Sequence, residues 1–309
     1  MQIFNESPVL ADEIDRLGHM NVQFYMTRVG RANRELLESL GVSDQSALTA
    51  LRHTDVFSRF HQEQFEGATL RVSGGLIALG TDRARAYFEI RNAGNEQLAA
   101  SFIIESTLVT LATREPCAFP PDVEQHPDVI QVPAQGGPRS LQLGAPRTDV
   151  TLARLEERVV DPGPTNTMSG RFEYGIDPEA CDEYGFLREG VNPMFGGRRR
   201  PPADEDGSFG PPILTTDEGH RFGWAIMETR SVSLQTPRAN DTLVSVGADV
   251  ALARKSRQSR RWTFVRHTGK LIGIHDHVAV ALDLDERRAI EIPNSMRRDM
   301  EQNYLPDLA

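Results

Sequence analysis

The segment Asp15-Arg16-Leu17-Gly18-His19-Met20-Asn21 sets a carboxylate, an imidazole and a carboxamide directly ahead of a helical pattern. Capping a helix start needs only one such side chain. The residue types left over are those of proton transfer and carbonyl polarisation. Asp15 can act as a base or nucleophile, or as the helix N-cap, and the residues alone favour the cap. His19 can be a general base or can orient a carbonyl; its plain alternative is a histidine packed near a helix end. Asn21 can hold a carbonyl or a water, or it can cap. Gly18 makes the turn, and the backbone N–H groups from Gly18 to Asn21 lie at the positive end of the helix. They are candidate donors to a developing oxyanion. Loss of one such donor costs about 2.7–4 kcal/mol of transition-state stabilisation. A second carboxylate, Glu63, falls in the stretch RFHQEQFEG (59–67). Alternation there puts Arg59, His61, Glu63 and Phe65 on one face of a strand reading from about Val56 to Phe65. A solvated strand-face charge is the plain alternative for Glu63, and the case for His61 is weaker.

These groups need elements to hold them. Val22, Tyr25, Met26, Val29, Leu36, Leu37 and Leu40 recur at helical spacing, and Gly41 is a suitable stop. The period then changes. In RARAYFEIRN, Ala84, Ala86, Phe88 and Ile90 alternate with Arg85, Tyr87, Glu89 and Arg91, which is strand periodicity. A turn at 93–97 leads into LAASFIIESTLVTL, and Leu70 to Leu79 reads as another strand. The first part of the chain therefore reads as a short strand, a long helix and about four antiparallel strands. A curved sheet wrapping one helix would cover the apolar faces of both.

The pattern then returns. ATLRVSG (68–74) is echoed by DTLVSVG (241–247), ARAYFEIRNAGNEQL (84–98) by RRWTFVRHTGKLI (260–272), REPCAFP (114–120) by RRAIEIP (287–293), and DRLGHMN (15–21) by DEYGFLR (182–188). The offset is 167 between Asp15 and Asp182 and 173 between Pro120 and Pro293. A net insertion of about six residues, placed in the loop 196–212, accounts for the change; a repeat of this length is a duplicated domain. The expected organisation is a first domain over 1–120, a Pro/Gly-rich linker or crossover over 121–164, a second domain over 165–295 and a C-terminal tail over 296–309.

Composition narrows the function classes. The formal net charge of −10 on 309 residues argues against nonspecific nucleic-acid binding. Cys117 and Cys181 share no CxxC spacing, so a disulfide framework is not expected and a reducing compartment fits. The opening residues lack a basic stretch followed by an apolar core, and no segment approaches a membrane span. The expectation is a cytoplasmic protein without a cofactor.

An aspartate followed by Gly-His-x-Asn, entering a long amphipathic helix and then antiparallel strands, resembles the hotdog-fold thioesterases of the 4-hydroxybenzoyl-CoA thioesterase-like superfamily. The tandem arrangement resembles the double-hotdog acyl-CoA and acyl-ACP thioesterases, over about residues 1–120 and 165–295. The resemblance implies an α+β double hotdog: two repeats, each with a long central helix wrapped by a curved antiparallel sheet, pairing as a pseudo-dimer with one site at their junction. It implies hydrolysis of an acyl-CoA thioester, with an acyl-ACP thioesterase, a non-catalytic acyl-CoA-binding protein and a hotdog dehydratase or hydratase as alternatives. It assigns catalysis to Asp15, His19, Asn21 and Glu63, and oxyanion contacts to the backbone at Gly18. Leu17 stands where acyl-ACP thioesterases often have asparagine, which favours the CoA substrate. Dimers of the double hotdog are a further expectation.

The second copy departs from the motif. Asp182 is kept, but His19 aligns with Phe186, Asn21 with Arg188 and Glu63 with Thr236, so one working site is expected, on the first copy. His275 and His277 share a strand face but lack a third ligand, so no metal is expected. Arg198, Arg199 and Arg200 could meet the phosphates of CoA; a solvated loop is the plainer reading.

Overall fold

Helix α1 runs over Val22–Ser39, and both of its ends are built by side chains named above. Asn21 is the N-cap: its side chain accepts the Gln23 N–H at 3.2 Å. At the other end Gly41 takes φ +88°, open to glycine at little cost. Gly41 N–H bonds Glu38 O and Val42 N–H bonds Leu37 O, each at 3.0 Å, which ends the helix in a Schellman turn. Leu37 and Val42 then meet in one core cluster with Leu76 and Ala84.

This is a computed structural model describing residues 1–42, 48–121, 123, 127–160, 169–190 and 208–309. The chain divides into two units, Met1–Arg139 and Ser140–Ala309. In the first, strands β1 (Gln2–Pro8), β2 (Thr49–Phe60), β3 (Thr69–Leu79), β4 (Arg83–Asn92) and β5 (Leu98–Thr110) form an antiparallel sheet in the order β1-β3-β4-β5-β2. One face meets α1. Leu37 packs with Leu76 and Ala84, Tyr25 stacks edge-on against Phe60 and Phe60 against Phe102, and Asn33 Nδ2 donates to Ser106 Oγ at 3.0 Å. Each large apolar side chain buried this way contributes about 1.5–3 kcal/mol.

The second unit repeats this plan. A short helix α2 (Leu152–Glu156) precedes β6 (Gly170–Gly175), β7 (Leu214–Thr215), β8 (Arg221–Ser233), β9 (Thr242–Leu252), β10 (Ser256–Val265) and β11 (Lys270–Asp283). The antiparallel order is β8-β11-β10-β9-β6, with β7 beside β8. Helix α3 (Asn294–Glu301) follows. The expectation of a long central helix is met in the first repeat. Its counterpart, by the offset of the repeat, falls on residues outside the described ones.

Two stretches are more ordered than their composition suggested. Within 121–164, Ile130 N–H bonds Leu76 O at 2.7 Å and Ser101 Oγ donates to Gly136 O at 3.0 Å, on the first unit. Gly136 lies so close over Tyr87 that a Cβ would come within 1.8 Å of the phenol oxygen. Val150, Leu155 and Val159 belong to the core of the second unit. Residues 296–309 pack as well: Met296 and Met300 join one cluster, while Leu305 and Leu308 join Val150 and Leu155 in another. Asp307 pairs with Arg158 at 2.7 Å on the surface beside them.

Candidate active site

The loop before α1 is a tight turn closed by its own backbone. Asp15 N–H donates to His19 O at 3.0 Å and Gly18 N–H to Asp15 O at 2.9 Å, with Gly18 at φ +83°. Asp15 is 6 % exposed, and both carboxylate oxygens are engaged. Oδ1 accepts the Leu17 N–H at 2.9 Å and Oδ2 accepts Asn21 Nδ2 at 2.8 Å. Asp15 is therefore not the helix cap that its position alone favours. Asn21 caps, and Asp15 holds Asn21. Gly18 N–H and Asn21 N–H, two of the expected oxyanion donors, are bound to Asp15 O and Glu13 O, and Met20 N–H to Gln64 O.

Glu63 reaches this loop from a different element than expected. Strand β2 ends at Phe60, so His61, Glu63 and Phe65 do not continue its face. His61 N–H and Gln62 N–H both point to Ala99 O, which stops the ladder. The chain then swings over the helix start, where the Met20–Gln64 bond fixes it. This brings Glu63 Oε1 to 3.4 Å from His19 Nε2. His19 is 12 % exposed and Glu63 29 %, so solvent reaches the carboxylate. His19 Nδ1 lies 3.3 Å from Met20 O. A carbonyl only accepts, so this contact places a proton on Nδ1. Nε2 of that tautomer then faces the carboxylate, two acceptors that one added proton can bridge. The pair is thus arranged to pass one proton.

Sequence reasoning missed three contributors. Tyr25 looked like part of the apolar stripe; it is buried, its hydroxyl lies 3.5 Å from Gln62 O, and burial first and the Glu63 charge second push its pKa up. Glu13 and Arg28 form a buried bidentate pair (2.8 and 2.7 Å). Glu13 also accepts the Leu10 N–H at 2.9 Å, so the pair ties the start of the loop to the second turn of α1. A Tyr among aliphatics and a Glu–Arg spacing of fifteen residues were the available signals, and neither points to a site by itself. His61 bonds Ser101 Oγ at 3.2 Å, and Arg59 bonds the carbonyls of Gln135 and Gly137. Arg198, Arg199 and Arg200 lie outside the described residues.

Residues 9–126 match the family model of the thioesterase-like superfamily. The match lies within the first unit. A match to that superfamily supports a thioester hydrolase. The whole chain is similar in fold to a 12:0-ACP thioesterase from Umbellularia californica (TM-score 0.59, 10 % identity, 90 % of this chain and 94 % of that one). It is likewise similar to an acyl-ACP thioesterase from Bacteroides thetaiotaomicron (TM-score 0.57, 7 % identity, 89 % and 96 %). No curated protein matches it in sequence. The hotdog fold, in tandem, is the architecture of this thioesterase-like chain.

The second hotdog repeats the backbone bonds of this loop. Asp182 N–H donates to Phe186 O at 2.8 Å, Gly185 N–H to Asp182 O at 3.0 Å and Arg188 N–H to Ala180 O at 3.1 Å. Asp182 Oδ1 accepts the N–H groups of Tyr184 and Phe186, each at 3.0 Å. Leu187 N–H bonds Pro237 O as Met20 N–H bonds Gln64 O. The imidazole and carboxamide are absent from this loop. Phe186 instead lies under the Arg238 guanidinium, 4.5 Å from the ring centre.

Proposed function

We propose that the protein hydrolyses an acyl-CoA thioester on its first unit, with Glu63 and His19 moving the proton and Asp15 positioning Asn21. The observation that carries this is the 3.4 Å pair of His19 Nε2 and Glu63 Oε1, set at the start of α1 with solvent access. Water gives a proton to the pair as it adds to the thioester carbonyl. The oxyanion that forms meets the positive end of α1, where the N–H of Val22, the first helical residue, is a first-turn donor. Collapse breaks the C–S bond, and the proton held by the pair goes to the departing thiolate. Water and thioester become acid and thiol.

Asp15 is read as a positioning residue for a reason internal to the chain. Asp182 keeps the same turn in the copy that lacks the histidine, the asparagine and the glutamate. An aspartate retained there serves the turn. An acyl-ACP substrate is the second reading, favoured by the fold likeness to two acyl-ACP thioesterases and opposed by Leu17.

The test is thiol release from a panel of acyl-CoA and acyl-ACP substrates as a function of pH. Glu63→Gln should lower kcat at least a hundredfold and remove the acid limb of the profile, since a general base contributes about 10²–10⁴-fold. Asp15→Asn should lower kcat less and leave the limb in place. The reverse pattern exchanges the two roles, and a protein that is folded but turns over neither carrier sinks the reading.

A further inference from the structure

His61 stands two residues before Glu63 and takes no part in the proton transfer proposed above. Its surroundings give it another task. Strand β2 ends in a fork, where His61 N–H and Gln62 N–H both point to Ala99 O at 2.8 and 3.3 Å. Strand β8 of the second unit ends in the same way. Leu234 N–H and Gln235 N–H both point to Ile272 O at 2.8 and 3.1 Å, and all three residues lie 173 positions after their counterparts. The two strand ends share a backbone. They do not share side chains.

The registers match the two sheets across a whole rung beside the fork. In the first unit Ser73, Glu89, Ser101 and Arg59 stand side by side on β3, β4, β5 and β2. At the same offset the second unit has Val246, Trp262, Ile274 and Val232, which pack in one apolar cluster. Leu234 replaces His61.

The polar rung of the first unit holds the strap. Arg59 Nη1 donates to Gln135 O at 3.1 Å and to Gly137 O at 3.0 Å. Ser101 Oγ donates to Gly136 O at 3.0 Å, so three consecutive carbonyls are engaged. Gly136 is seated on the Tyr87 phenol, which donates to Glu89 Oε1 at 2.9 Å, and Arg91 holds the other oxygen of Glu89 at 2.7 Å. A serine hydroxyl has one proton to give. Ser101 gives it to Gly136 O, so toward His61 its oxygen accepts, and the 3.2 Å contact with His61 Nε2 places a proton on that nitrogen. Strap, serine and histidine thus form one directed chain that ends two residues before Glu63. Beyond Glu63 the segment is tied again: Gln64 O accepts the Met20 N–H at 2.8 Å and Gln64 Oε1 accepts Asn92 Nδ2 at 2.9 Å.

The second unit makes the same strand end with leucine and isoleucine, so the fork does not require the chain. What the second unit lacks at this point is a carboxylate, because Thr236 stands where the first has Glu63. We propose that His61 is a positioning residue for Glu63, anchored through Ser101 to the strap at Gly136, so that a segment outside the site sets where the carboxylate stands. This rests on the reading of Glu63 as the base. A shift of about 1 Å at a reacting group can cost about a hundredfold in rate, so loosening the chain should show in kcat rather than in KM.

The experiment is steady-state thiol release by the full chain, on the acyl-CoA that the wild type turns over fastest. His61→Leu imposes the second unit's residue, and Ser101→Ala removes the middle of the chain. Each should lower kcat about tenfold and leave KM within about twofold of wild type. The double variant should lose no more than either single one, as members of one chain do. His61→Gln keeps an N–H donor and should recover most of the loss, which a merely structural role would not produce. If both single variants fail to fold, the wild type decides: the imidazole nitrogen shifts of His61 should show the proton on Nε2. Wild-type kcat in folded His61→Leu, losses that multiply in the double variant, no rescue by glutamine, or a proton on Nδ1 alone each overturn the proposal. Glu63→Gln run alongside separates the two readings. Turnover kept in Glu63→Gln sinks the base itself, whereas turnover lost there and kept in His61→Leu sinks only the chain.

Discussion

The two pre-helix loops, 15–21 and 182–188, share a backbone hydrogen-bond pattern and an aspartate, yet only the first keeps His and Asn. Under the proposed function the difference separates scaffold from chemistry within one chain. What both loops keep — the aspartate and the glycine turn — is what the turn requires. What only the first keeps is the His19–Glu63 pair, for which the turn has no use, and Asn21, which caps α1. The inner sheet faces teach the converse. There the first copy is the plain one, an apolar wall under a helix, and the second carries Arg261, His275 and His277 on the matching rungs.

The comparison can be broken most severely at the sheet. Phe88→Arg in the first unit imposes the second unit's residue on a fully buried position beside Phe4 and Gly74. A charge buried without the second unit's surroundings should destabilise the protein by at least about 3–5 kcal/mol, read by urea unfolding, and soluble yield should fall. His19→Phe makes the first loop chemically like the second. It should leave the circular dichroism spectrum unchanged and lower kcat about a hundredfold, while Phe186→His alone should restore nothing, because Thr236 stands where a carboxylate would be needed. Asp182→Ala should cost about 1–3 kcal/mol of stability by leaving the Tyr184 and Phe186 N–H groups without their acceptor, with turnover retained. Asp15→Ala should cost a similar amount and lower turnover as well, by releasing Asn21. If Asp182→Ala proved harmless to stability, the shared aspartate would have no structural explanation.

A further effect is in pH. His275 is held near 4 in the folded protein against an ordinary value of 6.5. Between those values the unfolded chain takes up a proton that the folded chain refuses, so stability falls as pH drops from 6.5 toward 4. The groups facing the ring are Arg261, Asp276, Ser231 and His277. His275→Phe should flatten that part of the curve of melting temperature against pH relative to wild type.

Most of the architecture was legible because it rests on periodicity. Helix α1, its glycine stop and the strand pairs of both copies follow from spacing, and the shift in repeat offset is seen again in the bonds: Asp15 matches Asp182 at 167, while Gln64 matches Pro237 at 173. The site was half legible. Asp15, His19 and Asn21 are close in sequence, so their meeting could be anticipated. Their division of labour could not, because which oxygen accepts which N–H depends on the turn. Glu63 was singled out for a wrong reason: alternation carried β2 past Phe60, whereas Ala99 O, a residue on the neighbouring strand, ends it. The Glu13–Arg28 pair and the strap at Gly136 depend on long-range approach and leave no local pattern.

Leu305 and Leu308 lie in the same core as Val150, Leu155 and Trp262, and Asp307 closes over them through Arg158. The second unit is thus closed by a segment that follows its sheet in the chain. During synthesis the first unit can complete its sheet while the ribosome is still translating the second, as N-terminal domains generally do. The second must wait with Trp262 and Phe264 uncovered until those leucines emerge. A ribosome stalled before residue 305 would therefore hold a folded first unit joined to an open, apolar sheet.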